Sequence, residues 1–130
     1  EYEADMPTVL SAADLVVCRA GATSVAELSA VGVPSILVPL PGAPGDHQTA
    51  NARHLERAGG ARLVPDRDLD GARLGSELAD LLADRSRLAT MSDGALSVGM
   101  PDAADRVVEV IAGLLDGDPG AEVPAPWATP

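Results

Sequence analysis

The sequence has almost no aromatic residues and only one cysteine. Its 130 residues include one Tyr, one Trp, no Phe and the single Cys18. A core without aromatic side chains must come from Ala, Val, Leu and Ile, and the hydrophobic share of 46% is enough for one domain. Because a lone cysteine cannot form an internal disulfide, a reducing cytoplasm is the simplest location, and Cys18 is typical of a small buried hydrophobe.

Basic residues are scarce as well. The chain has 9 Lys and Arg against 20 Asp and Glu, so its formal net charge is −11. This excess of acid argues against binding to nucleic acid, which needs a basic patch, and against unaided adhesion to an anionic membrane. A nucleotide diphosphate can still bind, because backbone N–H groups rather than net charge supply its contacts. No apolar run reaches the roughly 18 residues of a membrane span, and no signal peptide opens the chain.

The chain is long enough for one domain at most, and its two ends differ from the rest. It opens on Glu1-Tyr2-Glu3 without a Met and runs directly into a helix start, so we expect an N-terminally truncated piece of a longer protein. Tyr2 would then end a strand whose body precedes this sequence. Residues 116–130 are rich in Pro and Gly and lack periodicity, which predicts a disordered tail, with the folded domain covering residues 1–115.

Short apolar runs alternate with helical patterns along the domain, and this order predicts an α/β fold. The apolar runs predict three parallel strands: a first at residues 15–18 that is covered on both faces, a second buried strand at 35–38, and a short third strand at 61–64, at or near a sheet edge. Helices are predicted at about 5–13, 24–31, 47–58, 69–83, 86–98 and 101–115. Two apolar stripes are expected to face the core, namely Leu74, Leu78, Leu81 and Leu82, and Val107, Val108, Ile111, Leu114 and Leu115. The acidic residues between Asp66 and Asp84 are interpreted as a solvated face.

The stretch from Leu15 to Glu27 has the pattern of strand, tight turn and helix. Gly21 lacks a Cβ, so the backbone can turn sharply there and a ligand can approach closely. Thr23 and Ser24 are predicted to cap the helix, whose start offers unpaired N–H groups and the positive end of the helix dipole, a ready phosphate site. The S-x-x-E spacing of Ser24 and Glu27 also fits a capping box that needs no ligand. Alternatively, Glu27 accepts hydrogen bonds from ribose hydroxyls, as the acid of a dinucleotide-binding fold does.

A second polar group follows the second predicted strand, after a Pro/Gly-rich loop at residues 39–45. Asp46, His47, Gln48 and Asn51 open the third helix, and their spacing lets them share one neighbourhood. These side chains bond well to sugar hydroxyls, and open α/β sheets bind ligands beyond the carboxyl ends of their strands. The plainer alternative is that Asp46 is only an N-cap and that the others are solvated.

Arg19 directly follows the first strand and also has two interpretations. It could neutralise a bound diphosphate, or it could form a structural ion pair with Asp14 or Asp46. Met6, from the sequence alone, is an ordinary core residue. No Cys/His cluster has metal-ligand spacing, and no Ser-His-Asp or Cys-His arrangement can be assembled around Cys18.

The order and spacing of these motifs resemble the MurG family of bacterial glycosyltransferases, the undecaprenyl-diphospho-muramoyl-pentapeptide β-N-acetylglucosaminyltransferases of peptidoglycan synthesis. The resemblance covers about residues 2 to 115. It rests on the stretch 18–27, Gly32-Val33-Pro34, Val38-Pro39, Asp46-His47-Gln48-x-x-Asn51-Ala52, Ala58-Gly59 and, more weakly, Met100-Pro101-Asp102-Ala103. It implies a Rossmann-like parallel sheet with flanking helices, the later part of the donor-binding C-terminal domain of a GT-B glycosyltransferase.

The resemblance also implies roles for particular residues in binding UDP-N-acetylglucosamine. Gln48 would read the hydroxyls of N-acetylglucosamine, with His47 beside it. The start of the second helix would meet the diphosphate through backbone N–H and hydroxyl groups, and Met6 would bound the uracil. The resulting set of substrate-binding residues is Met6, Arg19, Gly21, Ala22, Thr23, Ser24, Glu27, His47, Gln48 and Asn51.

The implied reaction transfers N-acetylglucosamine from the UDP-sugar to a lipid-linked muramoyl-pentapeptide with inversion at the anomeric carbon, and it uses no cofactor or metal. In the family, the acceptor loops, the candidate base and the membrane-facing patch belong to an N-terminal domain. We therefore expect no catalytic residue in this sequence and an isolated chain that is inert and binds UDP weakly or not at all. The full-length protein is expected to be peripheral on the cytoplasmic face of the plasma membrane.

Three other functions remain open from the sequence. The chain could belong to another GT-B transferase that uses a UDP-sugar. It could be a soluble donor-binding subunit that works with a separate membrane partner, like the split dolichol-linked N-acetylglucosamine transferase. It could also be a non-catalytic α/β interaction domain in which Ser24 and Glu27 form only a capping box.

Overall fold

The computed structural model describes residues 3–115. They fall into two units, the first ending at Met100 and the second beginning at Pro101. The predicted order of strands and helices is confirmed. The first unit contains α1 (Met6–Ala12), β1 (Val16–Cys18), α2 (Ala22–Val31), β2 (Ser35–Leu37), α3 (His47–Arg57), β3 (Ala61–Leu63), α4 (Gly71–Leu82) and α5 (Arg85–Leu96), and the second contains α6 (Ala103–Leu115). Short 3-10 turns at Pro44–Asp46 and Asp66–Asp68 precede α3 and α4.

The three described strands form one parallel sheet in the order β1-β2-β3. Val17 is paired with Ile36, and Ile36 with Arg62, so one residue from each strand lies at the same level of the sheet. β2 is central and buried along its whole length. Because all three strands run the same way, the loops that follow them meet at one edge, which we call the carboxyl edge.

Helices cover both faces of this sheet. On one face Leu37 packs with Leu10, Leu28 and Leu55, from α1, α2 and α3. On the other face Ile36 and Val38 pack with Val64 and with Leu81, Leu88 and Met91 from α4 and α5. The result is a three-layer α/β sandwich in which alternate residues of β2 enter opposite cores.

Glycine and proline mark the helix boundaries as the sequence predicts. Gly32 ends α2 with a left-handed φ of 79°, a conformation that costs glycine little, and its N–H donates to the carbonyl of Leu28. Pro34 precedes β2 directly. α2 therefore leads into the central strand without a long connection.

The first strand is not covered on both faces, contrary to prediction. Val16 and Cys18 pack into the core shared with α2 and α3, but Val17 points to the opposite face and is 40% exposed. On that face α4 and α5 pack over Ile36, Val38 and Val64, and Val17 is not part of this core.

The predicted stripe of α4 and the solvated acidic face are both partly wrong. Leu81 is buried, but Leu82 is 48% exposed, since it lies a further 100° round the helix. The side chain of Glu77 is instead buried, and its carboxylate binds Arg62 of β3 and Arg73. Asp80 also receives a hydrogen bond from Arg62, at 3.0 Å. Glu77 is therefore a buried member of an ion-pair network on the sheet, whereas Asp80, which is 52% exposed, joins the network and still faces solvent.

The apolar stripe predicted to face inward on α6 is exposed. Val107, Val108, Ile111, Leu114 and Leu115 are between 52% and 82% exposed. Periodicity identifies the apolar side of a helix but not what covers it. The predicted strand end at Tyr2 and the predicted tail at 116–130 lie outside the described residues.

Among residues 3–115, none of the helices combines the length and apolarity that crossing a bilayer requires.

Candidate functional site

The predicted polar residues that follow β1 and β2 lie at the carboxyl edge of the sheet. Arg19, Ala20 and Gly21 connect β1 to α2, and residues 38–46 connect β2 to α3. Hydrogen bonds between these two connections bring the two predicted groups into one cluster, as described below. Most of the set predicted from the sequence therefore shares a single surface.

The start of α2 has three unused backbone donors. Gly21 is the N-cap, and the first bond within the helix runs from the N–H of Val25 to the carbonyl of Gly21, at 3.0 Å. The N–H groups of Ala22, Thr23 and Ser24 have no acceptor among the described residues. No acidic residue lies in this first turn to neutralise the positive end of the helix. The arrangement is suited to an anion such as phosphate.

The predicted capping by Thr23 and Ser24 is wrong, and so is the capping-box alternative. The helix begins at Ala22, so Ser24 is the third helical residue and cannot be the N-cap of a capping box. Glu27 lies one turn further along, is exposed, and has no hydrogen bond or ion pair within residues 3–115. Its carboxylate is thus free to accept hydrogen bonds from a ligand.

Three other helices have the side-chain cap that α2 lacks. The carboxylates of Asp5, Asp70 and Asp84 each accept a hydrogen bond from a backbone N–H in the first turn of α1, α4 and α5. This is the ordinary way to satisfy a helix N-terminus, and the sequence has 20 acids available for it. The pKa of Asp84 is correspondingly held below its ordinary value, chiefly by the hydrogen bond from the Ser86 hydroxyl.

Gly21 is not required by the backbone turn, contrary to the prediction. Its φ of −61° and ψ of 150° are accessible to any residue. An added Cβ would meet only the hydroxyl of Ser24, at 3.9 Å. Neither strain nor packing in the described structure therefore calls for glycine here.

Gln48 ties the two connections together. Its Oε1 accepts hydrogen bonds from the N–H of Ala20, at 3.2 Å, and from the N–H of Leu40, at 3.0 Å. Because only the carbonyl oxygen of the amide can accept these bonds, the orientation of the amide is fixed. The Nε2 group of Gln48 has no partner within the described range and remains available as a donor.

Asn51 and His47 are also held by backbone carbonyls. Asn51 Nδ2 donates to the carbonyl of Ala20, at 3.1 Å, so Gln48 and Asn51 together hold both polar groups of that residue. His47 Nδ1 lies 2.7 Å from the carbonyl of Pro44, and since a carbonyl only accepts, Nδ1 carries the proton. In the neutral imidazole Nε2 is then left as an acceptor. Gln48 and Asn51 are half-buried, so the alternative in which they are merely solvated is wrong.

Asp46 precedes α3 but does not cap it through its side chain. Its φ of 53° is left-handed, whereas an N-cap side chain reaches its N–H from extended backbone. The carboxylate instead accepts a hydrogen bond from the Thr49 hydroxyl, at 2.6 Å. The last residues of the loop are thereby fixed to the first turn of α3.

Arg19 forms an ion pair, but with neither of the predicted partners. Its Nη1 lies 2.6 Å from Asp66 Oδ1 and also within 3.4 Å of the carbonyls of Val38 and Pro39. Asp14 pairs with Arg85 instead. Arg19 thus joins the loops after all three strands, while its Nε and Nη2 have no partner in the described part of the chain.

Sequence reasoning missed Asp66 and the N–H of Leu40, and it had no signal for either. Asp66 lies 47 residues from Arg19, and its surroundings are those of an ordinary turn. It also lines a cavity of about 330 Å³ beside the cluster, between the loops after β2 and β3. A second cavity, of about 380 Å³, lies near residues that precede β1 and β2, at the opposite edge of the sheet.

Met6, of the predicted substrate-binding set, and Cys18, which is not assigned to the site, stand apart from this network. Met6 is the first residue of α1 and is 37% exposed, so the prediction from the sequence alone that it is an ordinary core residue is wrong. Cys18 is half-buried and packs against the core shared with α2 and α3, and burial raises the pKa of its thiol. Within residues 3–115 no group of His, Cys, Asp and Glu is arranged to hold a metal ion.

Comparison with known proteins assigns the chain to a family. The model of the glycosyltransferase family 28 C-terminal domain matches residues 1–107. Proteins from Alkalilimnicola ehrlichii and Acetivibrio thermocellus are 55% identical over 106 residues and 45% identical over 114 residues. Both are named UDP-N-acetylglucosamine--N-acetylmuramyl-(pentapeptide) pyrophosphoryl-undecaprenol N-acetylglucosamine transferase. The crystal structure of Acinetobacter baumannii MurG is similar with a TM-score of 0.78 and 37% identity.

These matches cover most of this chain but a minor part of each relative. They span 82% and 88% of the chain, yet 30% and 31% of the two curated proteins. The crystal structure matches 85% of this chain and 32% of its own. The resemblance to the MurG family and the Rossmann-like α/β fold of a GT-B C-terminal domain are thereby confirmed.

Proposed function

Because the chain belongs to the family of glycosyltransferase family 28 C-terminal domains, we propose that it binds the donor UDP-N-acetylglucosamine for sugar transfer. The acceptor would be the undecaprenyl-pyrophosphoryl N-acetylmuramyl-pentapeptide in the names of its relatives. The product would be the disaccharide-linked lipid used in peptidoglycan synthesis. The chain would supply the donor site of an inverting hexosyltransferase.

The observation that carries this proposal is the uncapped start of α2. The N–H groups of Ala22, Thr23 and Ser24 have no acceptor among residues 3–115, whereas aspartates cap α1, α4 and α5. A diphosphate would accept hydrogen bonds from these N–H groups, so the protein needs no net positive charge to bind it. The same donors would stabilise the negative charge that develops on UDP as the glycosidic bond breaks.

The rest of the nucleotide sugar would follow the residues around this turn. Glu27 lies three residues beyond Ser24, about 4.5 Å along the helix axis, and its free carboxylate would accept bonds from both ribose hydroxyls. The Oε1 atom of Gln48 accepts two backbone hydrogen bonds, which fixes the orientation of the amide. Its Nε2 group would donate to an oxygen of N-acetylglucosamine. His47 Nε2 would accept from a sugar hydroxyl, and Met6 would border the uracil.

Transfer also needs a base to deprotonate the acceptor hydroxyl. In the active enzyme, the base and the acceptor site would be supplied by another part of the full-length protein. We expect that enzyme to work at the cytoplasmic face of the membrane that holds its lipid acceptor. No cofactor or metal is assigned to the reaction.

The proposal is tested by binding of UDP and UDP-N-acetylglucosamine to the full-length gene product, measured by titration calorimetry. Glu27→Ala is expected to weaken both ligands about tenfold or more, the effect of losing a hydrogen bond to a charged group. Gln48→Ala is expected to weaken binding of UDP-N-acetylglucosamine more than binding of UDP, because only UDP-N-acetylglucosamine presents the oxygens of N-acetylglucosamine to Nε2. Thermal unfolding of Glu27→Ala should match wild type, since Glu27 has no described partner in the protein.

Asp93→Ala is the matched control, because Asp93 is an exposed acid in the middle of α5. It should leave both affinities unchanged. If wild type binds neither ligand, or if Glu27→Ala binds like Asp93→Ala, the donor site is not at this turn and the proposal fails.

A further inference from the structure

Ala20 is the point at which the phosphate-binding turn is attached to the rest of the site. It is fully buried, and it immediately precedes Gly21, the N-cap of α2. Ala20 lies two residues beyond the end of β1, and both its N–H and its carbonyl are hydrogen-bonded to side chains of α3. The position of the three free N–H groups therefore depends on a helix that lies beyond the next strand.

From this geometry we propose that Asn51 is a positioning residue for the donor diphosphate, rather than a sugar-contacting one. Its Nδ2 donates to the carbonyl of Ala20, at 3.1 Å, which aims the following turn. The inference rests on the proposed function and departs from the role that the sequence assigned to Asn51. Asn51 would thus act on the diphosphate of the donor and not on its N-acetylglucosamine.

Gln48 supports the same turn from the neighbouring position on α3. Gln48 and Asn51 are three residues apart and so lie on one face of the helix. The oxygen of Gln48 is shared between Ala20 and Leu40, so one amide group connects the diphosphate turn, the loop after β2 and the free Nε2 donor. Gln48 thus couples sugar contact to the diphosphate site, whereas Asn51 serves the diphosphate site alone.

Fixed donors bind an anion better than mobile ones, because no ordering is needed when the ligand arrives. Without Asn51 the carbonyl of Ala20, in a buried residue, would lack its hydrogen bond. The peptide before Gly21 would then be free to rotate. The N–H groups of Ala22, Thr23 and Ser24 would no longer be held pointing toward one phosphate position. The base and ribose of the donor would be unaffected, since Glu27 is one turn further along α2.

Asn51→Ala in the full-length gene product tests this inference with three probes. UDP and UDP-N-acetylglucosamine should be weakened by the same factor, about tenfold, while uridine, which lacks phosphate, should bind within about twofold of wild type. Calorimetry suits the two nucleotides, and an NMR titration suits uridine. Asn51→Ser, whose hydroxyl is too short to reach the carbonyl of Ala20, should behave in the same way and serves if Asn51→Ala fails to fold.

The outcomes separate the alternatives. A loss confined to UDP-N-acetylglucosamine would mean that Asn51 contacts the sugar, and it would overturn the inference. Equal loss of all three probes would indicate general damage, and unchanged binding of all three would show that the bond does not aim the turn. Either result would contradict the inference about Asn51. The proposed function would still stand if the wild-type protein binds UDP. If wild type binds no UDP, both fail together.

Discussion

Arg62→Met is expected to lower the free energy of unfolding by about 3 kcal/mol at pH 7, because it leaves a buried carboxylate short of a partner. The side chain of Glu77 is 7% exposed, and it is held by Arg62 and by Arg73 Nη2, the latter at 2.6 Å. Arg62 lies on β3 and is 25% exposed, whereas Arg73 is 54% exposed. Loss of Arg62 removes the better shielded of the two partners.

The effect should depend on pH in a defined direction. The hydrogen bond from Arg62 holds the pKa of Glu77 below its ordinary value, and the same bond raises the pKa of Arg62. A carboxyl with a lowered pKa in the folded state stabilises it above the unfolded pKa, about 4.3, and this contribution is lost as the pH falls through the folded value. The difference between wild type and Arg62→Met should therefore be largest near pH 7 and should shrink below about pH 4.

Urea unfolding at pH 7 and at pH 3 measures this difference. The double variant Arg62→Met with Glu77→Leu should recover most of the lost stability, since the unpaired carboxylate is gone. Arg85→Ala is the exposed control, because Arg85 and Asp14 are 81% and 62% exposed, and it should cost less than about 0.5 kcal/mol. If Arg62→Met costs no more than Arg85→Ala, the acids of α4 are solvated after all.

Gly94→Ala is expected to destabilise the protein by about 2 to 3 kcal/mol, although alanine is the better helix former. A Cβ at Gly94, in α5, would overlap the carbonyl oxygen of Ala58 and lie 2.8 Å from the carbonyl carbon of Gly59. These are backbone atoms of the turn between α3 and β3, and the N–H of Gly60 fixes that turn by donating to the carbonyl of Leu55. The neighbouring chain cannot give way as a flexible side chain could.

Gly75→Ala provides the opposite result from the same substitution. Gly75 lies in the interior of α4, and an added Cβ would meet nothing within 4 Å. Stability should rise by about 1 kcal/mol, the difference in helix propensity between the two residues. Both variants can be compared by urea unfolding. An increase in both would mean that α5 does not approach the α3–β3 turn closely.

The close approach at Gly94 also bears on the proposed donor site. The turn that it contacts ends α3, and α3 carries both Gln48 and Asn51 at its other end. The packing of α5 thus supports the helix that holds Ala20. We interpret the site as resting on the rigid core rather than on the loops alone.

Local sequence by itself determined the order of the elements and the edge where the site lies. Apolar runs, Gly32, Pro34 and the Pro/Gly-rich loop are short-range signals, because strand burial, left-handed φ and missing N–H groups act within a few residues. Parallel strands joined by helices must place their following loops at one edge. The turn at Gly21 and the polar start of α3 do lie at that edge, although only the family resemblance assigns them to one site.

The tertiary structure alone decided which partners the polar residues take. Ser24 and Glu27 have the spacing of a capping box, yet α2 begins two residues before Ser24. Arg19 pairs with Asp66 and not with Asp14 or Asp46, which are nearer in sequence. Gln48 and Asn51 form hydrogen bonds with the backbone N–H and carbonyl of Ala20. Such bonds join segments far apart in the chain, and their distances depend on how whole helices pack. Gly75 and Gly94 differ for the same reason, since a helical pattern does not reveal what lies beside it.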